Sequence, residues 1–329
     1  MEAAYEESKI LLRREPIDRL IRTEGLEATT KAKLQKVLEA RDFAKTIGMT
    51  PGDTFTQYSD IQRDVLAWVL MGSLPDAFSL YTWWFPLVGS VPYKGYFDLE
   101  DAQHDATLLE REGYETQIRT TEAFSTLGWF NDPLLSTTLR HSEVQVVTTV
   151  LHEIVHSTIW FKGHVSFNES LAQFVAVEAA VDFYRSRPNG STARLQESIR
   201  YRDFFYELSE VITSVYSDLT HLYESNLSKE EKLSKRVELY EHAISPLALK
   251  YDNLKTLGEL NNAAIMQKKI YMSNLPCFRS LFASHHRNWD AFWASIWEIH
   301  EQYHNQSGEE QKSPFEIFAE RYPICSLES

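Results

Sequence analysis

Apolar residues recur every three or four positions in the first 46 residues of the chain. This spacing places them on one side of a helix, and it predicts helices over residues 4–23 and 27–46. A third helix is predicted over SDIQRDVLAWVLMG, residues 59–72, with Ser59 as its N-cap. The beginning of the chain is therefore expected to be helical.

The pattern changes after residue 78, where aromatic residues and valines replace the helical spacing. FSLYTWWFPLVGSVPYKGYFD predicts two short strands joined by a turn, because glycine and proline interrupt it. A helix is predicted over 99–113, ending at Gly113, and YETQIRTTEAFS (114–125) then alternates like a strand. STLGWFNDPLLST (125–137) is expected to be a loop or an edge strand. Together these segments predict a small mixed sheet flanked by helices.

Helical spacing returns at Ser142 and continues towards the end of the chain. Ser142 and Gln145 form a capping-box pattern ahead of an apolar run, and a second helix is predicted over 167–186. Further amphipathic helices are predicted over 195–225, 228–250, 257–285 and 288–304.

These elements predict an α+β fold that is predominantly α-helical. The small mixed sheet is expected beside the helices near residue 150, and the C-terminal half is expected to be all-helical. No clear linker divides the chain, so a single unit over residues 1–329 is predicted, with a sheet-containing part (1–190) and a helical part (191–329).

Composition and charge narrow the classes of function. Hydrophobic residues make up 43% of the chain, enough for a substantial core, and the net charge is −14. Because a phosphate-binding surface is basic, this acidity argues against nucleic acid as the main partner. No segment has the roughly 18 consecutive apolar residues of a membrane span. The two cysteines, Cys277 and Cys325, either pair or stay reduced.

The segment that carries candidate chemistry is HEIVH, residues 152–156. Two histidines four positions apart lie on the same face of a helix, so His152 and His156 can both point a ring nitrogen at one metal ion. The neighbouring residues are uncharged and include no proline or glycine, as a buried helix requires. Glu153, between the histidines, is the candidate general base.

A catalytic zinc ion takes three protein ligands and leaves one position for water, and Glu169 is the predicted third ligand. It lies 13 residues after His156, which leaves room for a reversal at Lys162–Gly163 and the first turn of a second helix. An alternative is that Glu169 only caps its own helix by bonding Ser166 in a capping box. His164 is a rival third ligand, although a solvent-exposed position in the turn is expected for it.

This ligand set predicts hydrolysis by a metal-activated water. Zinc lowers the pKa of a bound water, and Glu153 can take its proton and later deliver a proton to the departing amine.

Several longer motifs resemble those of a bacterial family of predicted aminopeptidases. They are RREPIDRLI, FPLVGSVPYKGYFD, AFSTLGWFNDPLLST, HEIVHSTIWFKGHVSFNESLAQFVAVE and LNNAAIMQKKIY, and they cover most of residues 10–300. The resemblance implies a gluzincin-type zinc peptidase with zincin-like active-site helices. It assigns His152, His156 and Glu169 as ligands and Glu153 as base.

The resemblance also suggests residues outside the metal site. Tyr271, in LNNAAIMQKKIY, is a candidate oxyanion-stabilising phenol, with a core tyrosine as the alternative. Trp129, Phe130 and Asp132 are candidates to line the substrate cleft, with a packed corner as the alternative. Family members often begin with an export or lipoprotein signal ahead of a segment like AAYEESKILLRREPID, and the resemblance therefore implies the cell envelope or periplasm. The cytoplasm is the alternative.

The predicted function is zinc-dependent peptide hydrolysis, as an aminopeptidase. One alternative is a non-catalytic envelope or binding protein in which the metal holds two helices together. Another is a zinc amidase acting on a non-peptide or cell-wall amide, which would use the same residues.

Overall fold

The fold is described from a computed structural model for residues 10–85, 89–121, 133–187, 192–251, 260–307, 311–325 and 327. Helices hold 63% of the described residues and the sheets found there have only two or three strands, which confirms the predicted α+β, predominantly helical fold. The helices are α1 (Ile17–Arg22), α2 (Ala28–Thr46), α3 (Leu99–Arg111), α4 (Glu143–Thr158), α5 (Val165–Arg185), α6 (Thr192–Glu224), α7 (Lys229–Lys250), α8 (Asn262–Met272), α9 (Leu275–Ser284), α10 (Trp289–His304) and α11 (Pro314–Arg321). The strands are β1 (Glu15–Pro16), β2 (Gln57–Ser59), β3 (Ala67–Ser73), β4 (Trp83–Phe85), β5 (Gly89–Val91), β6 (Lys94–Tyr96), β7 (Glu115–Thr121) and β8 (Leu134–Leu135).

The chain divides into two compact units that both draw on separate parts of the sequence. The first unit comprises residues 1–64, 123–203 and 272–328, and the second comprises 65–122 and 204–271 together with residue 329. The division therefore does not follow the boundary near residue 190 expected from the sequence. The C-terminal helices fall into both units because α6 begins in the first and ends in the second. That the chain forms a single unit stays a prediction.

The first unit contains a small mixed sheet and the predicted metal-binding helices. Strand β2 pairs antiparallel with β1 and parallel with β8, in the order β1-β2-β8. Helices α4 and α5 pack against each other, and α2 packs on α4. The aromatic core beside α5 joins Phe167 and Phe174 to Phe278 and Phe292, with ring centroids 5.4–5.9 Å apart.

The second unit is built on strand β3, which pairs antiparallel with β6 on one side and β7 on the other. Helix α3 covers one face of this sheet, where Leu70 packs with Ala102, Ala106 and Leu109. The helix ends just before Gly113, whose φ of +91° is a conformation that glycine adopts without strain. Strands β4 and β5 form a separate hairpin.

Two of the predicted N-terminal helices are wrong in part. Residues 4–23 do not form one helix, because Glu15 and Pro16 pair with β2 and α1 begins only at Ile17. Proline lacks an N–H group and biases the residue before it towards extended backbone. The helix predicted over 59–72 is also wrong, since its second half is β3, a short run of apolar residues compatible with either structure.

The helix predicted over 257–285 is two helices, α8 and α9. Asn274 has a positive φ of 54°, and Pro276 lies in the first turn of α9, where its missing N–H is tolerated. Helix α11, capped by Ser313, was not predicted.

The two cysteines are bonded to each other. Cys277 in α9 and Cys325 after α11 form a disulfide across a sequence separation of 48 residues, which resolves the alternative left open by the sequence. In the described part of the chain, no helix combines the length and apolar character needed to cross a membrane.

Candidate metal centre

Helix α4 carries the two histidines, and its start is fixed by the predicted capping box. The Ser142 hydroxyl accepts from the Gln145 backbone N–H, and the Gln145 side chain accepts from the Ser142 N–H. Lys33 of α2 donates to the carbonyls of Leu139 and His141 at 2.6 Å each, which holds the preceding segment against α2. The register of α4, and thus the direction of its histidines, is therefore set at its first turn.

The reversal between α4 and α5 is held by one buried side chain. The amide of Asn168 accepts from the Phe161 N–H at 2.9 Å and donates to the Phe161 carbonyl at 2.8 Å. Gly163 in this turn has φ +83°, and Phe161 packs on Phe167 with centroids 4.6 Å apart. This arrangement places the residue after Asn168, which is Glu169, on the side of α5 that faces α4.

His152, His156 and Glu169 converge on one point. The Nε2 atom of His152 lies 3.2 Å from that of His156 and 3.1 Å from Oε2 of Glu169, and His156 Nε2 lies 3.5 Å from the same oxygen. All three side chains are largely buried, with 13–15% of each exposed. They form the one group of at least three His, Cys, Asp or Glu side chains suited to a metal ion among the described residues.

Hydrogen bonds alone do not satisfy these three contacts. The low pKa of Glu169 keeps its carboxylate ionised, and each Nε2 atom carries either a hydrogen or a lone pair, so in every protonation state of the two histidines at least one contact joins two lone pairs or two N–H groups. A zinc ion with ligand bonds of about 2.0–2.1 Å and tetrahedral angles requires ligand atoms about 3.3–3.4 Å apart. The observed triangle fits a metal ion of this size and ligand preference.

The side chains of the triad also perturb each other's protonation. Burial by itself would raise the pKa of Glu169, but hydrogen bonds and charge from His152 and His156 hold it well below its ordinary value. Burial would likewise lower the pKa of His156, but the Glu169 carboxylate raises it overall. The Nδ1 atom of His156 is buried and has no hydrogen-bond partner among the described residues.

Glu153 lies on the same helix, one position after His152, and is half-buried. Its negative charge contributes to the raised pKa of His156, which places its carboxylate near the triad. In the described residues no hydrogen bond or ion pair engages this carboxylate. A half-buried, unengaged carboxylate beside three converging ligands is suited to exchange protons with a water molecule there.

Two alternatives were open for the third ligand: that Glu169 only caps its helix, and that His164 is the ligand. The described residues show neither arrangement. The N-cap of α5 is His164, without a side-chain cap hydrogen bond, so Glu169 does not cap a helix that begins after Ser166. His164 is only half-buried and its ring packs edge-on against Tyr303, 5.0 Å away. Burial lowers the pKa of His164, and it does not belong to the converging group.

The remaining predicted site residues lie outside the described residues or in the second unit. Trp129, Phe130 and Asp132 lie outside the described residues, so their cleft role stays a prediction. Tyr271 belongs to the second unit, where its ring lies 5.9 Å from the guanidinium carbon of Arg119. Its role as an oxyanion donor also stays a prediction.

Sequence reasoning missed the function of Asn168. The capping-box pattern of Ser166 and Glu169 gives Asn168 no role, yet its amide holds the turn that positions Glu169. The available signal was its place beside Glu169 in a helix whose apolar residues are buried all round, where a buried amide needs backbone partners.

The fold and the triad define a class of protein: a helix pair that presents two histidines and one glutamate to a single metal-sized space. The chain belongs to the family described as "Putative aminopeptidase", whose profile matches residues 1–311. This agrees with the aminopeptidase resemblance of the sequence motifs. No match was found among curated proteins or among solved structures.

Proposed function

We propose that the protein is a zinc-dependent peptidase that removes residues from the amino end of peptides. The observation that carries the proposal is the convergence of His152, His156 and Glu169 within 3.5 Å of one another. Membership of an aminopeptidase family supports the class of substrate. Two nitrogens and one carboxylate oxygen are the ligand set of many catalytic zinc sites.

His152, His156 and Glu169 would hold the ion, and Glu153 would handle protons. Zinc held there would supply Lewis-acid polarisation of a carbonyl group and a water of lowered pKa. Glu153 then accepts a proton from the attacking water and donates it to the leaving amine. The positions of the four residues depend on the α4 cap and on the Asn168 bonds, so the site is fixed by the helices rather than by a loop.

The disulfide supports the proposed location in the cell envelope or periplasm. Disulfides persist in oxidising compartments and are rare in the cytosol. Cys277 is 2% exposed and Cys325 is 6% exposed, so their bond is buried within the C-terminal helices. This supports folding of the protein outside the reducing cytosol.

The test is hydrolysis of paired peptides by the purified chain. Peptides with a free amino terminus are expected to be cleaved one residue at a time, and their N-acetylated counterparts are not. A chelator should abolish cleavage, and added zinc should restore it. The absence of chelator-sensitive cleavage of any peptide would contradict the peptidase proposal. Internal cleavage of the acetylated peptides would contradict only the aminopeptidase part.

A further inference from the structure

In the second unit, strand β7 presents alternate residues to two different environments. Ile118 faces the apolar cluster under α3, so Glu115 and Arg119 lie on the opposite face of the sheet. Glu115 accepts from the backbone N–H of Asn262 at 3.3 Å, at the start of α8. Arg119 lies over the ring of Tyr271 near the end of α8. Helix α8 therefore runs along this face of β7.

The two ends of this face differ in charge: one end holds an ion pair and the other holds two cations. At the first end, Glu115 accepts from Arg236 at 2.9 Å, so both charges are compensated. At the second end are two cations, Arg119 and Lys268, and in the described part of the chain no carboxylate bonds either one. Such a pair is unexpected in a chain with 47 acidic and only 33 basic residues.

The guanidinium of Arg119 has unused hydrogen-bonding capacity. Among the residues that the structure describes, its Nη1 makes only a long contact of 3.5 Å, to the neighbouring Thr120 carbonyl. In the same part of the chain its Nε atom is buried without a hydrogen-bond partner. A buried N–H without a partner costs about 1–3 kcal/mol, and more when the group is charged. A bound acceptor would relieve this cost.

Lys268 adds a second positive charge beside Arg119. It precedes Tyr271 by three residues, so both side chains emerge from one face of α8, the face directed at Arg119. Burial lowers the pKa of Lys268, and the nearby positive charge of Arg119 lowers it further. Two half-buried like charges repel each other, and an anion between them would reverse the sign of this interaction.

We propose that Arg119 and Lys268 form a binding site for an oxyanion, the carboxylate or phosphate group of a small ligand. The guanidinium supplies a planar pair of donors and the ammonium supplies a point charge, which is the combination that recognises such groups. Tyr271 packs against the guanidinium and limits the directions it can take. Only the case of a peptide carboxylate rests on the proposed peptidase function.

The experiment measures ligand binding to the full chain by calorimetry. The probes are inorganic phosphate, an acetylated dipeptide with a free carboxyl terminus, and the same dipeptide as its C-terminal amide. The variants are Arg119→Gln, Lys268→Met and, as a matched control, Lys269→Met. Lys269 is the adjacent lysine, but its ammonium lies over the Tyr216 ring at 4.3 Å.

Saturable binding of phosphate, of the free-carboxylate peptide or of both is expected in the wild-type chain. Affinity should fall at least tenfold in Arg119→Gln and Lys268→Met and should change less than twofold in Lys269→Met. Binding of the free acid but not of the amide would identify a peptide carboxylate as the ligand. Binding of phosphate alone would identify a phosphate group. No binding, or equal binding by all variants, would overturn the proposal.

Two further measurements separate this site from folding defects and from the metal centre. Without an anion, Lys268→Met is expected to raise the melting temperature, because it removes one of two repelling charges. A lower melting temperature would mean that the lysine is already compensated, and it would overturn the proposal. The His152→Ala variant is expected to bind the anion as the wild type does, so the failure of the peptidase proposal would leave this result unchanged.

Discussion

Oε2 of Glu169 lies 3.1 Å from Nε2 of His152, although the two residues belong to different helices and are 17 positions apart in the chain. This contact exists because a short turn reverses the chain and a buried amide holds that turn closed. The triad is thus a property of the α4–α5 pair, and its parts can be tested separately.

Glu153→Gln should separate metal binding from catalysis. The amide cannot accept the proton of the attacking water, so kcat should fall by about 10²–10⁴. Zinc content and KM should remain close to those of the wild type, because Glu153 does not belong to the converging group. His152→Ala should instead lose both metal and activity. If Glu153→Gln retained full activity, another residue would have to be the base.

Without metal, the ion pair between His156 and Glu169 should make stability depend on pH. Burial opposes both charges, but mutual attraction raises the pKa of His156 above 6.5 and lowers that of Glu169 below 4.5. The Glu169 contribution is complete above its unfolded pKa and is lost as pH falls through its folded pKa. The His156 contribution is complete below its unfolded pKa and is lost as pH rises through its folded pKa.

Both contributions are therefore present between about pH 4.5 and 6.5. The free energy of unfolding is to be measured for metal-free wild type and for metal-free Glu169→Gln at about pH 5.5 and pH 9. The difference between the two proteins should be larger at pH 5.5. A difference that is larger at pH 9 would show that the pair is not charged in the metal-free protein.

Asn168→Ala should destabilise the protein through the turn. The variant leaves the buried N–H of Phe161 without its partner, while the Phe161 carbonyl still accepts from the His164 N–H at 3.2 Å, so the unfolding free energy should fall by about 1–3 kcal/mol. Zinc affinity should fall as well, because Glu169 loses its support. Asn305→Ala, an exposed asparagine at the end of α10, is the control and should change stability by less than about 0.5 kcal/mol. Equal effects of the two substitutions would show that the hydrogen bonds between Asn168 and Phe161 do not stabilise the turn.

The disulfide should contribute measurably to stability. Cys277 and Cys325 close a loop of 48 positions, and replacement of both by serine should lower the unfolding free energy by about 2–4 kcal/mol. Urea denaturation with and without reductant provides the check. Reductant should bring the wild type to the stability of the variant and leave the variant unchanged. Two titratable thiols in the folded protein under oxidising conditions would show that the bond does not form.

The sequence predicted those features that depend on neighbouring residues. The capping box at Ser142 and the i, i+4 spacing of His152 and His156 are local, and both predictions of where these residues lie on α4 are confirmed. Local pattern was ambiguous for Ala67–Ser73, a short apolar run that is a strand because β6 and β7 pair with it. Strand pairing depends on residues far away in the chain, so it cannot be predicted from the apolar segment alone.

Prediction of the candidate sites from the sequence was also limited to features that depend on neighbouring residues. The pattern from Ser166 to Glu169 fits a capping box as well as a metal ligand, and only the observed start of α5, with His164 as its N-cap, excludes the capping box. Arg119 and Lys268 come from a strand and a helix far apart in the chain. That no carboxylate among the described residues bonds either cation is visible only in three dimensions, because the overall composition is acidic.

The central claim is that Glu169 is a metal ligand together with His152 and His156, and zinc stoichiometry after zinc loading and dialysis tests it most directly. The wild type and the control His164→Ala should each retain about one equivalent, because His164 does not converge with the triad. His152→Ala, His156→Ala and Glu169→Ala should each retain less than about a tenth of an equivalent. Zinc retention by Glu169→Ala equal to that of the wild type would contradict the account, as would a wild-type protein that holds no zinc.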